Sequence, residues 1–269
     1  MSFSISTNSL CDIPPAQAKA FSLFCLAPKL IGISREPETV DEFDRAYRRI
    51  SANKVRRIEN TQAYYEKYFD DILDKSAPAL IHIAPYSADD HEYARCYRAI
   101  GNELLKYPRK QIYLVRSGAT GAGLNALVRL ALSRRGKGIP AHDVVAYLCD
   151  NAINTQTIFV KPEAHAYKTE KLCFDKKTFV GRSRSEALIA KRIAQAFVAS
   201  GADFIVISHA LMSELALKIY DKVKELAPEK DIDSCRASAS SVCVNSLPYL
   251  SVGYIKKVEK TGAIDWTNK

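Results

Sequence analysis

No apolar run in this 269-residue chain approaches the roughly 20 residues that a membrane-crossing helix needs. No basic segment followed by an apolar stretch stands at its start, so a secretory leader is not expected and the expected location is the cytosol. The seven cysteines, Cys11, Cys25, Cys96, Cys149, Cys173, Cys235 and Cys243, are odd in number, scattered, and form no Cys-x-x-Cys pair. That spacing supports neither a disulfide framework nor a zinc site, and most of them read as small buried apolar residues. Also missing are the Gly-x-x-x-x-Gly-Lys-Ser/Thr phosphate loop, the His-Glu-x-x-His helix and the Gly-x-Ser-x-Gly elbow. No catalytic residue, metal or cofactor is therefore assigned. There is no internal repeat and no low-complexity segment.

What is present is the composition of a globular protein, 47% hydrophobic with a formal net charge of +9. Such a charge raises the question of nucleic acid. The charges, however, fall in short mixed runs such as Lys54 to Glu59 and Lys218 to Lys230, which on helices form solvated faces. Only Arg45 to Arg49 with Lys54, Arg56 and Arg57 makes a local basic stretch. Nucleic acid is not the expected partner; an acidic protein or an anionic surface suits the excess charge better.

Short β-rich runs alternate with longer amphipathic ones, the pattern of a layered α/β protein with a mainly parallel sheet. Strands are predicted at Phe3 to Ser6, Cys25 to Ile33, Leu80 to Ala84, Gln111 to Val115, Thr157 to Lys161, Lys171 to Phe174, Phe204 to Ser208 and Leu250 to Lys256. Helices are predicted at Asp41 to Ser51, Gln62 to Lys75, Asp89 to Lys106, Thr120 to Arg135, Ala141 to Asn151, Ser185 to Ser200 and Leu211 to Leu226. Ser234 to Pro248, rich in Ser and Cys, reads as a loop. The natural division puts one α/β domain in residues 1–156 and a second, smaller one in 157–269.

The most informative segment is Thr7-Asn8-Ser9-Leu10-Cys11-Asp12-Ile13-Pro14-Pro15. It follows the first predicted strand, and Pro14-Pro15 is suited to open a helix. Hydroxyl and amide groups thus collect at the end of a strand, where α/β proteins place ligand-binding groups. Gly118-Ala119-Thr120-Gly121-Ala122-Gly123 has the wrong spacing for a dinucleotide fingerprint and reads as small residues that let a helix approach a sheet, with an anion facing the amides at the helix start as the competing reading. His82, between Ile81 and Ile83, and His209, at a strand end, read as hydrogen-bonded structural residues.

The opening segment resembles that of the DegV family, Thr-Asp-Ser-Thr-Ala-Asp-Leu-Pro, in Thr7, Ser9, Asp12 and Pro14. The likeness continues in order. Asn60-Thr61-Gln62 resembles the family's Thr-Ser-Gln, and Ala79 to Ile83 its strand before a serine-rich loop, within which only Ser87 could replace the lost serine. Arg116 to Leu124 is similar to Asp-Ser-Lys-Ser-Ala-Ser-Met-Gly-Leu in Ser117, Gly123 and Leu124; Gly181 to Arg184 resembles Arg-Gly-Arg-Lys-Lys-Ala, and Ile207 to Ala210 matches a strand ending in His-Ala. The family's Gly-Gly-Arg-Ile-Ser segment is missing between Lys161 and Lys171. Its Thr-His-Thr-Gly-Pro-Gly loop corresponds to Cys243 to Pro248, without the histidine and glycines.

The resemblance implies a two-domain α/β protein that holds a long-chain fatty acid or related lipid between its domains and presents the carboxylate to a separate fatty acid kinase, with no catalysis of its own. Such a role needs a long apolar slot with hydroxyl or amide donors at its mouth. Ser9, Thr61, Ser87, Ser117 and Asn245 are the candidates for that mouth, and capping of helices and turns is the competing role for each. The alternative function is an interaction or regulatory module that has lost lipid binding and uses its basic surface.

Overall fold

The computed structural model describes residues 3–86, 91–245 and 247–257. The first half contains β1 (Phe3–Asn8), a 3-10 turn at Ser9–Cys11, α1 (Pro15–Ala20), β2 (Leu23–Leu26), β3 (Leu30–Ile31), α2 (Val40–Ser51), β4 (Arg56–Arg57), α3 (Gln62–Leu73), β5 (Ala79–Ala84), α4 (His91–Lys106), β6 (Gln111–Arg116), α5 (Gly121–Gly136) and α6 (Ala141–Ala152). The predicted start of α4 at Asp89 lies outside the described residues. Strands β2-β1-β5-β6 form a parallel sheet in that order, and β3 pairs with β4. Every residue of β5 is buried, as a parallel strand covered on both faces requires. Tyr65, Phe69 and Leu73 of α3 and Cys96 and Ile100 of α4 cover one face of this sheet. Leu124, Leu127 and Val128 of α5, with Val144 and Leu148 of α6, cover the other.

The second half contains β7 (Thr155–Glu163), β8 (Ala166–Cys173), β9 (Lys176–Ser183), α7 (Glu186–Ala199), β10 (Phe204–Ala210), α8 (Ser213–Leu226), β11 (Asp231–Arg236), α9 (Ala239–Asn245) and β12 (Tyr249–Ile255). Its sheet runs β11-β10-β12-β7-β8-β9, and β10–β11 is the parallel pair in it. The expectation of a mainly parallel sheet thus holds for the first half only. The tight connections from β7 through β9, one using Phe174 and Asp175 at positive φ, are too short for the crossover that parallel neighbours need. Ile189, Ile193 and Phe197 of α7 and Leu215 and Ile219 of α8 bury one face of this sheet.

Its other face receives α5, which is consequently buried between two sheets: residues 121–128 are buried without a break. The approach is close enough that a Cβ on Gly123 would sit 2.0 Å from Thr157 Oγ1, and one on Gly253 2.1 Å from the Ala122 carbonyl carbon. The Gly118–Gly123 run is therefore packing, as its spacing suggested. Among the described residues no helix is long and apolar enough to cross a membrane.

Candidate functional site

Where β1 ends, Asn8 accepts a hydrogen bond from Leu10 N at 3.0 Å and starts the 3-10 turn, which Asp12 closes at φ 55°. That left-handed turn aims the Asp12 side chain across to the second half. One carboxylate oxygen accepts from Ser238 N at 2.9 Å; the other accepts from Ser208 Oγ at 2.7 Å and Tyr249 OH at 3.4 Å. Burial raises its pKa above the ordinary carboxylate range, against the lowering effect of these donors. Beside it, Ser9 Oγ donates to Ser240 Oγ at 3.0 Å, and Ser240 Oγ donates to Glu36. Glu36 also accepts from Ala239 N at 2.8 Å and Ser240 N at 3.1 Å, and burial raises its pKa. A cavity of about 240 Å³ adjoins this network, lined by Ser9, Ile13, Cys25, Glu36 and Phe43 among others.

A larger cavity, about 410 Å³, lies between the halves. Leu10, Phe159, Leu172 and Val244 give it an apolar lining, and Arg57, Lys161, Lys177, Tyr86, Thr120 and Asn245 bring polar groups to it. Its volume is that of a small-molecule site. The cations differ in how far they are neutralised. Arg57 Nη2 donates to both carboxylate oxygens of Glu92, at 2.6 and 2.8 Å. Lys177 and Lys168 share Glu170, at 3.1 and 2.7 Å. Lys161 has no carboxylate partner among the described residues, and burial, followed by repulsion from Lys177, holds its ammonium below the usual lysine range. Thr120 Oγ1 and Arg57 Nε are buried and without a hydrogen-bond partner among the described residues. Buried donors are normally satisfied, so such groups in a cavity wall point to a ligand or solvent.

The single long slot that the sequence led us to expect is not open. Phe43 and Tyr47, on the buried face of the amphipathic α2, pack between the halves against Phe159, Leu172 and Tyr249. Phe43 borders the smaller cavity, and Phe159 and Leu172 border the larger.

The five sequence candidates are dispersed. Ser9 lines the smaller cavity and Asn245 the larger, where Asn245 Nδ2 donates to Ser241 O at 3.0 Å. Thr61 is exposed and caps α3, its hydroxyl accepting from Tyr64 N at 3.2 Å. Ser117 is buried, donates to Ala84 O at 2.6 Å and accepts from Ala119 N at 3.1 Å. Ser87 lies outside the described residues. Replacing Thr61 by Ala should cost about 1 kcal/mol of stability through loss of the cap, read from the urea midpoint. The sequence reading missed Thr120, Lys161 and Lys177. A usable signal was Lys161 two residues after Phe159, which on a strand places a charge on the same face as a large apolar group.

His82 is fully buried, bonded through Nδ1 to Ser6 Oγ at 2.8 Å and set edge-on to Phe69. Burial lowers its pKa to about 3, so it is neutral and structural.

No family model matches the sequence, and no curated protein matches it either. Solved structures do. A DegV lipid-binding protein from Thermotoga maritima superposes with a TM-score of 0.79 at 11% identity, over 97% of this chain and 100% of that one. The Fatty Acid Kinase (Fak) B3 protein of Streptococcus pneumoniae, solved loaded with linoleic acid, gives 0.77 at 14% identity, over 96% and 100%. A DegV family protein from Eubacterium eligens, loaded with heptadecanoic acid, gives 0.76 at 13%, over 94% and 99%.

Proposed function

Since the chain has the two-sheet α/β fold of the DegV proteins, we propose that it holds a fatty acid or related lipid between its two halves, head group in the larger cavity, and performs no chemistry on it. The observation that carries this reading is the meeting, in one cavity of about 410 Å³, of an apolar lining with Lys161 and the Thr120 hydroxyl, neither of which has a partner among the described residues. An anionic head group buried without donors and countercharge would cost several kcal/mol. Here a cation and a hydroxyl stand ready, and each buried methylene of the tail adds about 0.8 kcal/mol. Asn245 and Ser87 are proposed as further head-group contacts, and Ser9, Thr61 and Ser117 as residues that hold the surrounding loops. A long tail requires the Phe43 and Tyr47 packing to part. A separate kinase acting on the head group is the partner we propose, reaching it through the mouth of this cavity.

Lipid extraction of the full chain, purified from lipid-replete cells, followed by mass spectrometry tests the reading. About one acyl chain per protein is expected. Lys161→Glu should lower retention on the order of tenfold or more, since it replaces attraction by repulsion at the head group. A protein that emerges empty, and that takes up no added fatty acid, sinks the reading in favour of an interaction module.

A further inference from the structure

The face of the second sheet that looks into the larger cavity carries an uneven set of charges. Register places Phe159 opposite Glu170, Lys161 opposite Lys168, and Leu172 opposite Lys177, so all six side chains share that face. Three ammonium groups there share one carboxylate, Glu170, which is within ion-pair reach of Lys168 and Lys177 but not of Lys161. The remaining charges at the cavity cancel in pairs, Arg57 with Glu92 and Glu59 with Arg95. Among the described residues two positive charges are thus left over beside an apolar lining of Leu10, Phe159 and Leu172. Lys177, although exposed, has its Nζ 5.4 Å from the centroid of the Phe159 ring, a cation–π contact at the cavity wall. The buried, unpartnered Thr120 hydroxyl adds a neutral donor on the facing wall.

A carboxylate brings one negative charge and two oxygens to such a site. A phosphate monoester brings close to two charges and three oxygens. Resting on the lipid-binding reading, we infer that the larger cavity prefers a lipid whose head group is a phosphate monoester to one whose head group is a carboxylate, with Lys161 as the residue that sets the preference. The charge balance carries the choice: a dianion neutralises the surplus of this face, whereas a monoanion leaves Lys161 or the Lys168–Glu170–Lys177 group uncompensated. Repulsion between Lys161 and Lys177 is relieved on the same binding event.

Calorimetric titration of the full chain at pH 8 with dodecyl phosphate, dodecanoate and inorganic phosphate decides the matter. Dodecyl phosphate is expected to bind at least tenfold more tightly than dodecanoate, and inorganic phosphate far more weakly than either. Lys161→Gln should reduce dodecyl phosphate affinity about tenfold and dodecanoate affinity much less, which closes most of the gap. Lys177→Gln, checked with it for an unchanged thermal midpoint, provides a second variant and should close part of it. Equal or tighter binding of dodecanoate overturns the phosphate preference and leaves the lipid reading standing. A preference that survives both substitutions overturns the role of these lysines. Inorganic phosphate binding as tightly as dodecyl phosphate removes the lipid from the inference, and failure of both chain-bearing probes to bind ends the inference together with the reading beneath it.

Discussion

Replacing Gly253 by alanine is expected to produce the largest loss of stability of any single methyl group added to this protein. A Cβ at that position would lie 2.1 Å from the carbonyl carbon of Ala122 and 2.2 Å from both its oxygen and Gly123 N. All three are backbone atoms at the start of α5, so no side-chain rotation relieves the overlap. Gly253 is on β12 and Ala122 on α5, and the helix leads out of the parallel sheet of the first half. Relief therefore requires the two halves to separate along their main contact. The expected cost is about 3 kcal/mol, at the upper end of the range for overpacking. Urea denaturation checks the size. Fluorescence of an apolar probe added to the larger cavity checks the mechanism, since a wedge at this contact should also loosen retention of the probe. A variant as stable as the parent would mean that α5 does not sit on β12 as described.

How much of this was legible beforehand follows from burial. β5 and β10 have apolar runs because both their faces are covered, and the sequence reading located them. β9 and β11 escaped because they lie at the edges of the second sheet, where Lys-Lys-Thr-Phe-Val-Gly-Arg-Ser and Asp-Ile-Asp-Ser-Cys-Arg are half-exposed and carry no apolar run. α9, read as loop, is a short helix of small residues whose first amides are held from outside by Glu36. The candidate site was legible only in part. Hydroxyl residues after a strand look alike in sequence, whether they stand in a cavity wall without a partner among the described residues, as Thr120 does, or are spent on the backbone, as Ser117 is. Lys161 has meaning only once Lys168 and Lys177 are brought alongside it by a hairpin pairing that spacing alone does not specify.

Asp12→Ala is expected to cost about 3 kcal/mol at neutral pH, and Asp12→Asn much less, because the two substitutions remove different things. Alanine leaves Ser238 N and Ser208 Oγ in a buried site without the carboxylate they donate to, and places a residue that poorly tolerates φ 55° in the turn. Asparagine keeps an acceptor and accepts the left-handed turn, while discarding a charge that has no cationic partner among the described residues. The charge is tolerated because Asp12 lies at the N-terminal end of α5, its Oδ2 3.5 Å from where a Gly121 Cβ would be. Even so, burial outweighs the helix and the hydrogen bonds and raises the folded pKa. The sign of the pH dependence follows from that direction. A raised folded pKa means that the folded chain binds the proton more tightly than the unfolded one, so this contribution is complete below the unfolded value near ~3.9 and is lost as pH rises through the folded value. Asparagine cannot titrate. Measured by urea midpoints at pH 7 and pH 5, the parent should therefore gain on Asp12→Asn as the pH falls, and a gap that widens in favour of Asn would show that the carboxyl is held ionised instead. Because the same carboxylate joins Ser208, Ser238 and Tyr249 of the second half to the first strand's turn, the alanine variant should also release the proposed lipid faster, whereas the asparagine variant should not.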